Sequence, residues 1–230
     1  MGYDVILSAG YLAFARQTGF LDAVEQTELP VEGVCGTSSG AMVGAMWAAG
    51  MTARAIAEEL QSKRPIDAFA TNWQVWDGWA AFRLDPVVAR LRELLPPRFE
   101  DLKRPFSCGV MTLDRVHVLL SSGPLPEAVA ASCAIPRLFA PVRVGDILYA
   151  DGGVIDRTAI AAFRALRGER PTLVHLVERS RGGNDGDLSR VPVVRSKRAN
   201  ASLAGIRDFA SEFEATRRTA LDVISGLRTA

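Results

Sequence analysis

Short apolar runs alternate along the chain with longer segments of helical spacing, which is the signature of an α/β domain with a largely parallel sheet. The run YDVIL predicts a strand over residues 3–7, and Gly10 turns it into a helix through about residue 26. Leu12, Ala15, Gly19, Phe20 and Ala23 keep helical spacing there. A second strand is predicted over 31–35, and after Gly36 a helix over 39–49 ends at Gly50, where a C-capping glycine belongs. Thr52 predicts the N-cap of a helix to about residue 63, stopped by Pro65. The stretch 66–82 gives no clear period, with Trp73, Trp76 and Trp79 three apart among Asn72, Asp77 and Gly78. A helix over 85–95 takes Pro86 in its first turn and stops at Pro96 and Pro97. Strands follow over 106–112 and 116–121, then a helix over 126–132 and a short strand over 148–150 that delivers Asp151. The last predicted strand covers 172–177. Residues 179–198 mix Gly, Asn, Asp and Ser with many Arg and Lys and read as a mobile basic loop, before a C-terminal helix of about 203–227.

Composition narrows the class of protein. Among 230 residues, 48% are hydrophobic and 23% charged, ordinary values for one globular domain with a sizeable core. Lys plus Arg (27) nearly balances Asp plus Glu (26), so no overall field draws the chain to nucleic acid or an anionic membrane. Cys35, Cys108 and Cys133 lack metal-ligand spacing and lie in apolar stretches, as buried free thiols do, which fits a reducing cytoplasm. The start MGYDVILSAG has no basic region of a secretory signal, and Ile6 stands where a myristoylation motif wants Ser or Thr. No apolar run reaches the roughly 18 residues that span a bilayer. The expectation is a protein that is soluble in the cytoplasm or peripheral at a membrane.

Chemistry enters at Gly36-Thr37-Ser38-Ser39-Gly40, a GxSxG set between a predicted strand and a predicted helix. A sharp turn there projects the Ser38 hydroxyl from the sheet edge, at a helix N-terminus that favours negative charge. A serine hydroxyl needs a base, usually histidine. Both histidines, His117 in RVHVLL and His175 in TLVHLV, fall in mid-strand and not at a sheet edge. Asp151 ends a strand before Gly152 and Gly153, so its carboxylate can stand at the edge, and an Asp serves as base if burial raises its pKa. An ordinary Asp-Gly turn is the alternative reading of that dipeptide. Gly40 and Gly44, four apart, suit close packing of the helix after Ser38.

Taken together, these residues resemble the patatin-like phospholipases. Gly36-Thr37-Ser38-Ser39-Gly40 is similar to that family's nucleophile elbow and Asp151-Gly152-Gly153 to its aspartate motif. Ala131-Ser132-Cys133-Ala134-Ile135-Pro136 with Phe139-Ala140-Pro141-Val142 resembles the segment between them, and residues 99–105 and 122–128 resemble its middle region. The resemblance implies a three-layer α/β/α sandwich as a single domain over 1–230, with a variable cap at about 64–84. It also implies a Ser-Asp dyad, Ser38 as nucleophile and Asp151 as base, cleaving lipid or other acyl esters through an acyl-enzyme with no metal or organic cofactor.

Two departures bear on that expectation. Where the family carries a GGGxRG-like loop after the first strand, this chain has Ala9-Gly10-Tyr11-Leu12-Ala13-Phe14, keeping one glycine and losing the arginine. The oxyanion hole is then expected from the backbone N–H of Gly10 foremost, with Ala9, Tyr11 and Ser39 as further donors. Ala9 and Tyr11 would reach glycine-only dihedrals at a cost. After Asp151, Arg157 and Ala159 stand where the family commonly has Asn and Pro. The altered loop motivates an alternative, a weak or inactive member that binds acyl chains or a protein partner. Trp73, Trp76 and Trp79 are candidates for an acyl-binding wall or lipid contact, with core or cover packing as the other reading. The basic run of Arg179, Arg181, Arg190, Arg195, Lys197 and Arg198, diluted by Asp185 and Asp187, reads as a solvated loop or a contact to anionic headgroups.

Overall fold

The computed structural model describes residues 2–62, 67, 70–71, 80–178, 184–202 and 205–227. In chain order, β1 (Tyr3–Leu7), α1 (Phe14–Gln26), β2 (Val31–Thr37), α2 (Ser39–Ala48) and α3 (Ala53–Gln61) form the first half. Then come β3 (Ala70–Thr71), β4 (Ala80–Arg83), α4 (Asp85–Leu94), β5 (Phe106–Thr112), β6 (His117–Leu120) and α5 (Leu125–Ser132). β7 (Arg137–Phe139), β8 (Val142–Val144), β9 (Ile147–Asp151), α6 (Ile160–Arg167) and β10 (Thr172–Val177) follow. The chain closes with β11 (Val193–Ser196), β12 (Ala201–Ser202), β13 (Gly205–Ile206) and α7 (Phe209–Leu227).

The main sheet has the order β11-β10-β1-β2-β5-β9-β8, with β6 also paired to β5. From β11 to β5 every pairing is parallel, and β9, β8 and β6 join antiparallel. β5 carries different partners on its two edges. β6 occupies one edge of β5 from Cys108 to Met111, so β2 and β9 must share the other edge end to end. β2 covers that edge up to the rung Thr37 with Gly109, and β9 begins one rung later, Asp151 opposite Val110. Adjacent rungs are about 3.3 Å apart. The end of β2 and the end of β9 therefore meet on a single strand edge.

Alternate residues of the central strands face opposite layers, as the period of two requires. Val5, Val34 and Leu173 point into the main core with α1, α2 and α5, whereas their neighbours Ile6, Cys35 and Val174 pack on Ile160 and Phe163 of α6. Helices on both faces of a mostly parallel sheet make the three-layer α/β/α arrangement that the sequence leads one to expect. Burying side chains such as Phe163 and Ile160 stabilises this second layer by about 1.5–3 kcal/mol each. α7 lies along α1 so closely that a Cβ on Gly19 would sit 2.2 Å from the Phe213 carbonyl oxygen. Thr52 caps α3 as expected, accepting a hydrogen bond from the Ala55 N–H at 3.2 Å.

Several elements differ from the sequence reading. β10 is not the last strand: within the stretch 179–198, expected to be a mobile loop, Val193–Ser196 pairs in parallel with β10 from Val174 to Val177. Val194 and Ser196 are buried and Arg195 is exposed, so a strand alternation is present but masked by its Arg and Ser. α6 has no counterpart in the sequence reading, although Ile160 and Phe163 form its buried face and Gly168, at φ 81°, stops it. β7 and β8 are short strands inside the segment between the two motifs, and α7 begins at Phe209 where a start near residue 203 is expected. In the cap region, β4 pairs with β3 and with β7.

Candidate active site

The site is built where β2 runs into α2. Ser38 takes φ 57° and ψ −125°, a conformation that L-residues other than glycine rarely adopt. Gly36 and Gly40 make the turn sterically possible. A Cβ on Gly36 would lie 2.3 Å from the Gly40 carbonyl oxygen, and one on Gly40 would lie 2.3 Å from that of Leu7. The turn is held from a third direction by Ser132, fully buried at the end of α5. Its Oγ accepts from the Ser38 N–H at 2.9 Å and donates to the Gly109 carbonyl at 2.7 Å. Cys133 Sγ donates to the Ser38 carbonyl at 3.2 Å.

Asp151 arrives on the adjoining rung of β5, and its backbone N–H donates to the Ala134 carbonyl at 2.9 Å. The carboxylate is buried, and Oδ1 accepts from the Gly153 N–H at 2.8 Å, which fixes its orientation. Gly153 is packed tightly, since a Cβ there would meet Ala9 Cβ at 2.6 Å and Asp151 Oδ1 at 3.0 Å. Burial pushes the Cys133 thiol well above its usual range, and the nearby Asp151 carboxylate adds to the shift.

The loop after β1 completes the wall, and its first three carbonyls are engaged. The Ser8 carbonyl accepts from Gln17 Nε2 at 3.0 Å, and that of Gly10 accepts from Ser39 Oγ. The Ala9 carbonyl accepts from the Arg157 guanidinium at 2.9 Å. The Ala9 N–H donates to the Arg157 carbonyl at 2.8 Å, so Ala9 is not a free donor and leaves the expected set. Gly10 and Tyr11 remain, their N–H groups directed by the carbonyls held on the far side of each peptide. Neither Ala9 nor Tyr11 has a positive φ; in this loop that conformation falls on Leu12, at φ 48°. The dihedral penalty expected at Ala9 and Tyr11 is therefore absent.

Ser38, Asp151, Ala9, Gly10 and Tyr11 line one cavity of about 400 Å³. Its wall also includes Ile135, Gly153, Val154, Arg157 and Val177, with the exposed Glu178 and Arg198 at the rim. Burial pushes the Tyr11 phenol up against an opposing pull from Arg198, so Tyr11 stays a protonated donor. Ser39 begins α2, and Gln17 Nε2 holds its hydroxyl at 2.9 Å. A larger cavity of about 1070 Å³ opens beside β4, α4 and β8. None of its lining residues is Ser, Thr, Cys or His, whereas the smaller cavity holds the candidate pair Ser38 and Asp151.

Neither histidine lines the cavity. His175 is fully buried, with Nε2 2.9 Å from Ser196 Oγ and its ring stacked on Phe20 at 5.0 Å. Burial pulls its pKa down to about 3, so it is a neutral core residue. His117 is half-buried on β6, its pKa also lowered by burial. Trp73, Trp76 and Trp79 lie outside the described residues, as do Arg179 and Arg181. Of the basic run, Arg198 reaches the cavity rim and Arg195 is exposed on β11. Ser132, Gln17 and Arg157 hold the site and were not singled out by sequence as doing so. Their partners lie up to 148 residues away, as in the Arg157 bond to Ala9, and no local spacing encodes such a contact.

The sequence profile described as patatin-like phospholipase matches residues 5–164. The NTE family protein Rv1063c of Mycobacterium tuberculosis is 28% identical over 182 residues, covering 74% of this chain and 47% of the relative. The chain thus spans about half the length of that relative. YqhO of Bacillus subtilis is 25% identical over 214 residues, 79% of this chain and 73% of its own. Among solved structures, VipD of Legionella pneumophila superposes with a TM-score of 0.61 at 13% identity, covering 98% of this chain and 67% of VipD. ExoU of Pseudomonas aeruginosa, in complex with SpcU, gives a TM-score of 0.56 at 12% identity, covering 98% of this chain and 52% of ExoU. At such identities these two show a shared fold.

Proposed function

Since the chain belongs to the patatin-like phospholipase family, we propose that it is a serine acyl-hydrolase acting on carboxylic esters of lipids, with Ser38 as nucleophile and Asp151 as general base. The observation that carries this reading is the backbone of Ser38, held at φ 57° on the strand-to-helix turn while Asp151 lines the same cavity. Strained residues of this kind persist where the surrounding structure over-determines them, commonly at active sites. Here the over-determination comes from Gly36, Gly40 and Ser132.

In the proposed reaction Asp151 takes the Ser38 proton as Oγ attacks the ester carbonyl. Negative charge developing on the carbonyl oxygen is met by the N–H groups of Gly10 and Tyr11, with that of Ser39 at the start of α2 as a further donor. The carbon–oxygen bond to the alcohol then breaks, the alcohol leaves with the proton from Asp151, and the acyl group stays on Ser38. Water deprotonated by Asp151 attacks the acyl-enzyme, releasing the acid and restoring the hydroxyl. Ile135, Val154 and Val177 suit an acyl chain, and Arg198 at the rim suits an anionic headgroup. Phospholipids, lysophospholipids and neutral acyl esters all fit this description, and contact with a lipid surface would be peripheral. The alternative of a weak or inactive member is motivated by the altered loop at Ala9-Gly10-Tyr11, of which the dihedral part does not apply, since Ala9 and Tyr11 both avoid the left-handed region.

A fluorophosphonate probe tests the reading. Wild type is expected to label at Ser38, Ser38→Ala not at all, and Asp151→Asn far more slowly. Chromogenic esters of graded length should be hydrolysed in the same order of activity. A wild-type protein that neither labels at Ser38 nor turns over any ester would remove the proposal.

A further inference from the structure

Arg157 is the most deeply buried arginine of the described chain, at 3% exposure, and its guanidinium faces the loop that borders the nucleophile. One nitrogen, Nη2, donates to the carbonyls of both Ala9 and Val177. The other, Nη1, pairs with Asp185 at 2.6 Å, and the backbone of Arg157 donates to the Asn184 carbonyl at 2.9 Å. The Arg157 carbonyl in turn accepts from the Ala9 N–H. Ala9 is thus held by both backbone polar groups to this one residue.

That arrangement has a geometric consequence. The C=O and N–H of a trans peptide point in opposite directions. Pinning the Ala9 carbonyl on the guanidinium therefore directs the Gly10 N–H away from that guanidinium, and Gly10 and Arg157 both line the cavity with Ser38 and Asp151. We propose that Arg157 is the positioning residue of the oxyanion hole, holding Gly10 in donor orientation through the Ala9 carbonyl. The loop itself has no arginine, and its first and third positions are Ala9 and Tyr11 in place of glycines. Support that no arginine within the loop can supply comes instead from residue 157, where the resemblance leads one to expect Asn.

The fork of the guanidinium matters as well as its charge. Its planar donors reach two carbonyls and a carboxylate at once, which a lysine ammonium on a flexible stem does not match. Asp185 completes the clamp by fixing the guanidinium, its own side chain about one-third exposed. The proposal rests on the acyl-hydrolase reading, because a donor has to be oriented only if an oxyanion forms.

The test compares Arg157→Met, Arg157→Lys, Arg157→Ala and Asp185→Asn on a soluble chromogenic ester. Arg157→Met is expected to lower kcat about 100-fold, the usual effect of displacing a catalytic group by an ångström, with KM within a few-fold of wild type. Arg157→Lys and Asp185→Asn should fall between. Affinity for a trifluoromethyl ketone, which forms a tetrahedral adduct, should drop in parallel with kcat, while affinity for the fatty-acid product holds. Guanidinium ion added to Arg157→Ala should restore part of the lost rate. Thermal melting separates these effects from unfolding, and should Arg157→Met fail to fold, Asp185→Asn carries the same comparison with the arginine in place. Unchanged kcat in a folded Arg157→Met, or equal losses of analogue and product affinity, would overturn the role of Arg157 while leaving the enzyme reading intact. A wild type without Ser38-dependent labelling removes both.

Discussion

Ser132 shows how much of the site depends on residues with no chemistry of their own. Its hydroxyl satisfies the Ser38 N–H and the Gly109 carbonyl at the point where β2 turns away from β5. Ser132→Ala leaves both groups buried and unpaired, a loss of about 1–3 kcal/mol. Denaturant unfolding should show that loss, and fluorophosphonate labelling of Ser38 should slow because the strained turn loses a support. Labelling at the wild-type rate would mean that the glycines alone hold the elbow. The dyad candidates were legible in the sequence because a GxSxG and an Asp-Gly-Gly each carry a local steric reason for their residues. Ser132, Gln17 and Arg157 were not, since each acts by a contact across the fold. The same limit explains Ala9: only the folded chain reveals that its N–H is already engaged by Arg157.

At the scale of elements, α2 separates two glycines that look alike in sequence. A Cβ on Gly40 would lie 2.3 Å from the Leu7 carbonyl oxygen and 2.9 Å from that of Ser8, both backbone atoms of a central strand and its loop. A Cβ on Gly44 meets only side chains, the nearest being Phe106 at 3.1 Å. Gly40→Ala should therefore cost about 1–3 kcal/mol from overpacking and abolish labelling. Gly44→Ala should be near neutral, because alanine's helix propensity of up to about 1 kcal/mol offsets the tight contact. Equal losses in the two variants, measured by urea unfolding, would contradict this account. Strands with clean apolar runs, such as Tyr3–Leu7 and Thr172–Val177, coincide with the expected boundaries. β11 was hidden because an edge strand beside Arg and Ser carries a weak alternation, and α6 because eight residues make only two turns of pattern.

For the whole molecule, the buried His175 sets a response to acid. Its folded pKa of about 3 lies below the ~6.5 of a free histidine, so between those values the unfolded chain binds a proton that the folded chain refuses. This group leaves stability intact above pH ~6.5 and lowers it as pH falls towards 3, by roughly 1.4 kcal/mol per unit. His175→Gln should flatten the fall in unfolding free energy between about pH 6 and 4, and identical slopes would show that other groups govern it. No helix among the described residues is long and apolar enough to cross a membrane. The meeting of β2 and β9 on one edge of β5 has a further consequence, for synthesis. The proposed nucleophile is synthesised at residue 38, but its proposed partner comes with residue 151 and takes its place only when β9 has docked on β5. A nascent chain under the proposed chemistry thus carries an inert serine until the segment through residue 151 has been made and folded, and hydrolytic competence arrives as a product of assembly.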